Sequence, residues 1–126
     1  MFSHIMVGAN DIHESKAFYD AIMTTIGHPE GVMDPKGRVF YMTDTGIFAL
    51  SVPIDGQPAC HGNGSTIGFS VASPEQGDAW HAAGVANGGV SCEDPPGIRD
   101  GDMGKMYLAY LRDPAGNKIC ALCRPE

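Results

Sequence analysis

Cationic side chains are scarce. The chain holds 8 Lys and Arg against 15 Asp and Glu, a formal net charge of -7, and its cations form no cluster along the sequence. Binding to a phosphate backbone or an anionic bilayer needs such a patch, so nucleic acid and membrane are not expected partners. Long apolar runs are missing too: none approaches the roughly 20 residues of a membrane helix. The opening segment Met1-Phe2-Ser3-His4-Ile5-Met6-Val7 has neither a basic start nor an extended apolar stretch. No signal peptide is expected, and the cytoplasm is the default location. The 4 cysteines are Cys60, Cys92, Cys120 and Cys123. Cys120 and Cys123 have C-x-x-C spacing, but no second pair with matching spacing completes a zinc site. They fall in a strand-like run rather than at a helix start, which argues against a redox motif. Two buried thiols are expected there.

Hydrophobic residues make up 43% of 126 residues, enough for the core of one ordinary domain. Two separate domains of half that length would each lie near the lower limit for a stable core. The domain reads as two similar halves. Module one covers about 1–54, a Gly/Pro-rich linker about 55–64, and module two about 65–126. Module one opens with a strand over Phe2–Val7 and a helix over Asp11–Ile26, capped by Asn10 or Asp11, with Glu14 in a capping-box position. Its buried stripe is Ile12, Ser15, Tyr19, Ile22 and Ile26. Strands follow at Val39–Met42 and Ile47–Val52, joined by a hairpin-like turn. Module two repeats the order: a strand at Thr66–Val71, then a helix from Ser73-Pro74-Glu75-Gln76, with Pro at its first position. That helix turns Ala79, Trp80 and Ala83 inward. A strand at Val90–Glu93 and a polar loop over Asp94–Gly104 follow, the loop reading as a lid or a disordered insertion. Strands Tyr107–Arg112 and Lys118–Cys123 flank the turn Asp113-Pro114-Ala115-Gly116-Asn117 and close the chain.

The fold class is therefore α+β: two β-α-β-β-β modules with mostly antiparallel sheets, each covered by a helix on one face. Strand parity sorts the faces. Phe48, Leu50 and Val52, and Ile67, Phe69 and Val71, belong against the helices. The opposite faces carry small or polar residues, among them Ala49, Ser51, Thr66 and Gly68, and leave room for a small-molecule cleft or a solvated surface. His4 shares its face with Phe2 and Met6. Leu108, Tyr110 and Arg112 take the cleft side of their strand, where Tyr110 could donate to a ligand oxygen and Arg112 could pair a carboxylate or bond the turn. His13, His28 and His81 read as surface residues.

His4 on the first strand, Asp11 opening the helix and Ser15-Lys16-Ala17-Phe18-Tyr19 within it, together with Tyr110-Leu111-Arg112-Asp113-Pro114-Ala115-Gly116-Asn117-Lys118-Ile119, resemble the glyoxalase/bleomycin-resistance/dioxygenase (vicinal oxygen chelate) superfamily over nearly the whole chain. The resemblance implies a cup-like sheet, a frequent homodimer, and a metal held by one side chain from each of four strands. It implies lyase, isomerase or ring-cleaving oxygenase chemistry, in which the metal chelates two neighbouring substrate oxygens. His4 matches the first ligand position; the other three fall at or near Ala49, Thr66 and Cys120. Zinc sites usually have three or four protein ligands. The candidates for a divalent ion of the Zn or Ni type are at most His4, Cys120 and His61, and a metal-free protein is the leading expectation. His61 sits in His61-Gly62-Asn63-Gly64, which reads first as a turn. Two functions follow: an enzyme with His4 as base and Tyr110 as donor, or a metal-free protein that binds or sequesters a drug-type small molecule. The net negative charge would suit a cationic ligand.

Overall fold

The computed structural model describes residues 1–125. β1 (His4–Gly8) leads into α1 (Ile12–Thr25). Asp11 caps α1: its Oδ1 accepts from the amides of His13 at 3.0 Å and Glu14 at 3.1 Å, satisfying donors that a helix start leaves open. Then come β2 (Val32–Met33), β3 (Val39–Thr43) and β4 (Gly46–Ser51). The second module holds β5 (Ile67–Ser70), α2 (Pro74–Ala86), β6 (Val90–Ser91), β7 (Gly97–Gly101), β8 (Gly104–Arg112) and β9 (Lys118–Cys123). Ser73 caps α2, its Oγ accepting from the Gln76 amide at 3.1 Å, and Pro74 needs no partner at the first position.

The two modules share one topology. The first sheet runs β1-β4-β3-β2; the second runs β5-β9-β8-β6, with β7 also paired to β8. β1 is parallel to β4 and β5 to β9, while the remaining described pairs are antiparallel. The fold is α+β, built from two β-α-β-β-β modules, with β7 as an addition. Residues 94–104 are thus not a lid or a disordered insertion. They carry β7, which forms a hairpin with a β8 that starts at Gly104. Sequence periodicity misses this strand because Ile98 and Asp100 on it are both exposed, so no apolar alternation marks it.

The core lies where the helices meet the sheets. Phe18, Tyr19, Ile22 and Met23 of α1 and Trp80 of α2 pack with Tyr41, Phe48, Leu50, Tyr107, Leu111 and Ile119. Phe69 stands edge-on to Phe48, with ring centroids 5.2 Å apart, and so joins the modules. Two expected inward positions are corrected. Ala79 is exposed; the inner face of α2 is Gly77, Trp80 and Gly84. Val52 is 46% exposed, because β4 ends one residue earlier at Ser51. On α1, Phe18 and Met23 are buried while Ile12 and Ile26 are half-buried.

Gly77 and Gly84 set how closely α2 approaches β8. A Cβ on Gly77 would lie 2.1 Å from Tyr107 Cε1, and one on Gly84 2.4 Å from Leu111 Cδ1. Tyr107 cannot easily move, since its ring is buried and its hydroxyl donates to Asp78 Oδ1 at 2.8 Å. Gly77→Ala should therefore destabilise the protein by ~1–3 kcal/mol, the usual cost of overpacking. Helix propensity alone favours Ala by ~1 kcal/mol. A denaturant titration that showed stabilisation would contradict the close helix–sheet approach.

Candidate functional site

Strand pairing places the expected cleft residues in rows on the face of each sheet turned away from the helices. In the first sheet one row is His4–Ile47–Met42 and the next is Met6–Ala49–Phe40–Val32. Gly8 and Ser51 pair beyond them. In the second sheet Gly68–Cys120–Tyr110 form a row, with Ser70–Leu122–Leu108 on one side and Lys118–Arg112–Val90 on the other. Thr66 is exposed, one residue ahead of β5. Apart from the buried Ala49 and Cys120 these residues are half-buried or exposed, whereas the alternate positions Leu50, Ala109, Leu111 and Ile119 are fully buried.

A groove of about 360 Å³ opens where the first sheet meets β5. His4, His28, Phe48, Gly68, Phe69 and Ser70 are among its walls. His4 is exposed, and its Nδ1 shares a 2.8 Å hydrogen bond with Ser3 Oγ. Nε2 is then the ring atom left for a ligand. His28 was expected on the surface; it is half-buried and lines the groove because α1 ends beside the mouth. His81 is also half-buried, 2.9 Å from Ser91 Oγ, and burial lowers its pKa despite the opposing charge of Asp78. His13 is exposed.

Tyr110 lies outside this groove, on the second sheet. The Lys118 ammonium sits 5.1 Å from the centre of its ring and pairs with Glu93. Burial raises the Tyr110 pKa, the neighbouring Cys120 adds to this, and Arg99 opposes it. The phenol therefore stays protonated and is a donor near neutral pH. Arg112 donates to Gly116 O at 3.0 Å, which turns its head towards the Asp113–Asn117 turn. His61 reaches the same turn: its Nδ1 is 3.1 Å from the position a Cβ would take on Gly116. The next residue, Asn117, donates through Nδ2 to Gly8 O at 2.9 Å. Gly8 is at the far end of β1 from His4, ~13 Å along the strand. His61 and His4 thus belong to opposite ends of the cleft.

The family resemblance implies four metal positions. They are His4, Ala49, Thr66 and Cys120. Ala49 is fully buried and offers a methyl group. Cys120 is 6% exposed, and burial pushes its thiol pKa up although Lys118 opposes the shift. A metal needs the thiolate. Among the described residues, no group of three or more His, Cys, Asp or Glu side chains is placed to hold an ion. This donor set does not fit a divalent metal. Cys123 cannot assist Cys120, since three residues along a strand put the two thiols on opposite faces.

Comparison with known proteins agrees with this architecture. The profile of the Glyoxalase/Bleomycin resistance protein/Dioxygenase superfamily matches residues 1–121. No curated protein matches the chain. Among solved structures, a glyoxalase/bleomycin resistance protein from Albidiferax ferrireducens T118 is 63% identical, with a TM-score of 0.95 over 98% of this chain and 99% of that one. A glyoxalase-related enzyme from Fulvimarina pelagi is 18% identical, with a TM-score of 0.76 over 99% and 88% of the two chains. A lactoylglutathione lyase from Agrobacterium tumefaciens is 20% identical, with a TM-score of 0.66 over 97% and 92%. The last two share the fold with this chain. No helix among the described residues is long and apolar enough to cross a membrane.

The state of Cys120 is open to measurement. Cys60 is exposed and Cys120 buried. Iodoacetamide at pH 8, followed by peptide mapping, should modify Cys60 well before Cys120, because the thiolate is the nucleophile. Equal rates in the folded protein would mean that Cys120 is an accessible thiolate and would restore it as a ligand candidate.

Proposed function

Because the chain belongs to the Glyoxalase/Bleomycin resistance protein/Dioxygenase superfamily, we propose that it binds a small molecule in the groove between its first sheet and β5 without a resident metal ion. The observation that carries this reading is the donor set. One imidazole, one buried methyl, one hydroxyl and one buried thiol occupy the four positions, while the groove beside His4 keeps about 360 Å³ open. A cleft with few polar groups among apolar walls is suited to orienting a small ligand. His4 Nε2 can donate to or accept from that ligand, and the exposed Gly68 leaves space beside it.

Lyase or isomerase chemistry with His4 as base and Tyr110 as donor is less well supported. It needs both groups at one ligand, and Tyr110 is not among the groove's lining residues. The ring-cleaving reading asks for metal-bound substrate oxygens and has no support in this donor set.

A homodimer belongs to the proposal. Val32, Met6 and Met42 are 66%, 41% and 62% exposed on the open face of the first sheet. A contiguous apolar patch of this kind marks an interaction surface, and a second copy covering it would wall the cleft. Native mass spectrometry at micromolar concentration should give a dimer mass without bound metal. A clean monomer would remove the dimer; one stoichiometric Zn or Ni per chain would remove the metal-free site.

Ligand binding has its own test. In a thermal-shift screen of small carbonyl, carboxylate and aromatic compounds, at least one should raise Tm by mass action. Gly68→Val should abolish the rise. A Cβ at that position would already lie 3.3 Å from Cys120 Sγ, and the further methyls would project into the open row. An undiminished shift in this variant would put the ligand elsewhere.

A further inference from the structure

The interruption between β6 and β7 builds a feature that the groove does not explain. β6 and β7 run along the same edge of β8 but in different registers. Val90 pairs with Arg112 and Ser91 with Leu111, and the Cys92 amide donates to Tyr110 O at 3.3 Å. Pairing resumes with Gly97 opposite Leu108. Residues 93–96 therefore stand opposite the single residue Ala109. Such bulges redirect side chains and recur beside binding sites. Glu93 has φ of 56°, the single positive value at a non-glycine among the described residues. A left-handed backbone there is unfavourable, so the surrounding contacts hold the bulge in shape.

The bulge gathers cations around Tyr110. Arg99 ties the bulge to β7: its guanidinium donates to Gly97 O at 3.0 Å and to Asp94 O at 3.2 Å. Both acceptors are neutral carbonyls, and Arg99 has no carboxylate within salt-bridge distance among the described residues. Its charge is oriented but not neutralised, and its remaining N–H groups are available. Lys118 lies over the Tyr110 ring and pairs with the 44%-exposed carboxylate of Glu93. Arg112 follows in the next row, directly opposite Lys118. The floor is the Gly68–Cys120–Tyr110 row. Of the chain's 8 Lys and Arg, only Lys16, Lys36 and Arg38 lie outside residues 99–124. The same segment holds three carboxylates, Asp100, Asp102 and Asp113, against its five cations, so it is net positive by two in a chain whose net charge is -7.

We propose that the corner formed by Arg99, Lys118 and the Tyr110 hydroxyl binds the oxyanion of a small molecule, a carboxylate or a phosphate. Guanidinium, ammonium and phenol each supply donors, and charge-assisted bonds of this kind are the stronger class. Glu93 is the exchangeable counter-ion: an arriving oxyanion takes over its place on Lys118. The inference rests on the small-molecule reading above and adds to it an anion site on the second sheet, outside the groove beside His4.

The test is titration of the 15N-labelled protein at low ionic strength with inorganic phosphate, succinate and the neutral succinamide, following backbone amides and arginine Nε–H signals by NMR. Phosphate or succinate should saturate with a millimolar Kd and shift Arg99 and the amides of Glu93, Asp94 and Gly97; the tighter of the two identifies the source of the oxyanion. Arg99→Gln should weaken binding at least fivefold with its amide spectrum otherwise preserved. Arg124→Gln, at an exposed residue whose guanidinium donates to Met103 O, should change it less than twofold. Non-saturating shifts, or equal losses in the two variants, would overturn the proposal. If succinamide binds as tightly as succinate, the anion inference falls and the small-molecule reading stands. If no anion saturates and the thermal-shift screen is also blank, both fall.

Discussion

A buried carboxylate holds the two modules in place. Asp113 is 4% exposed, and an ion taken out of water must be fully hydrogen-bonded or it is strongly destabilising. Four donors meet that need. Tyr19 Oη donates at 2.6 Å, and the Ala115 amide, the Asn117 amide and Asn117 Nδ2 each at 2.9 Å. Tyr19 is on α1 of the first module; Asp113 and Asn117 are in the turn between β8 and β9 of the second. Asn117 uses its amide group twice, since Nδ2 also donates to Gly8 O at the end of β1. One turn therefore grips a helix and a strand of the other module. Burial together with the charge of Asp113 raises the Tyr19 pKa well above its ordinary value, so the phenol is a donor near neutral pH.

The open faces follow from that grip. The second sheet is held with its Asp113–Asn117 turn against the Gly8 end of β1, so the groove forms at the opposite end, between His4 and the β5 residues Gly68 and Ser70. The glycines of α2 let the helix sit close on Tyr107 and Leu111, which leaves Leu108, Tyr110 and Arg112 on the other side of the same strand. Parity and the Asp113 turn together decide which side chains a ligand can meet. Where the superfamily resemblance implies metal donors, this chain has Ala49 and Thr66, and the cationic side chains lie around Tyr110 instead.

Much of this was legible in the sequence where the signal is local. Asp11 and Ser73-Pro74 mark both helix starts because capping depends on residues three positions apart. Period-2 alternation separates the buried Tyr107 from the half-buried Tyr110, whereas Ala49 is as buried as Phe48. The local sequence is silent where glycine or pairing carries the information. Gly77 and Gly84 form the buried stripe of α2 with Trp80, but glycine has no side chain to register as apolar, so Ala79 was placed inward in error. The bulge at 93–96 comes from two registers along one edge of β8, which no local pattern encodes. The same is true of the grip: the D-P-x-G-N turn is visible in the chain, while its partner Tyr19 is 94 residues away.

The account stands or falls on the coupling of Tyr19 to Asp113. A double-mutant cycle with Tyr19→Phe, Asp113→Asn and the pair, read by denaturant unfolding, measures it directly. Hydrogen bonds to charged groups contribute ~1.5–3 kcal/mol, and contacting residues in one network couple by ~0.5–3 kcal/mol. The account predicts a coupling of at least ~1 kcal/mol, with each single variant destabilised. Additivity to within ~0.3 kcal/mol would mean that the carboxylate does not hold the modules together, and that their arrangement rests on apolar packing alone.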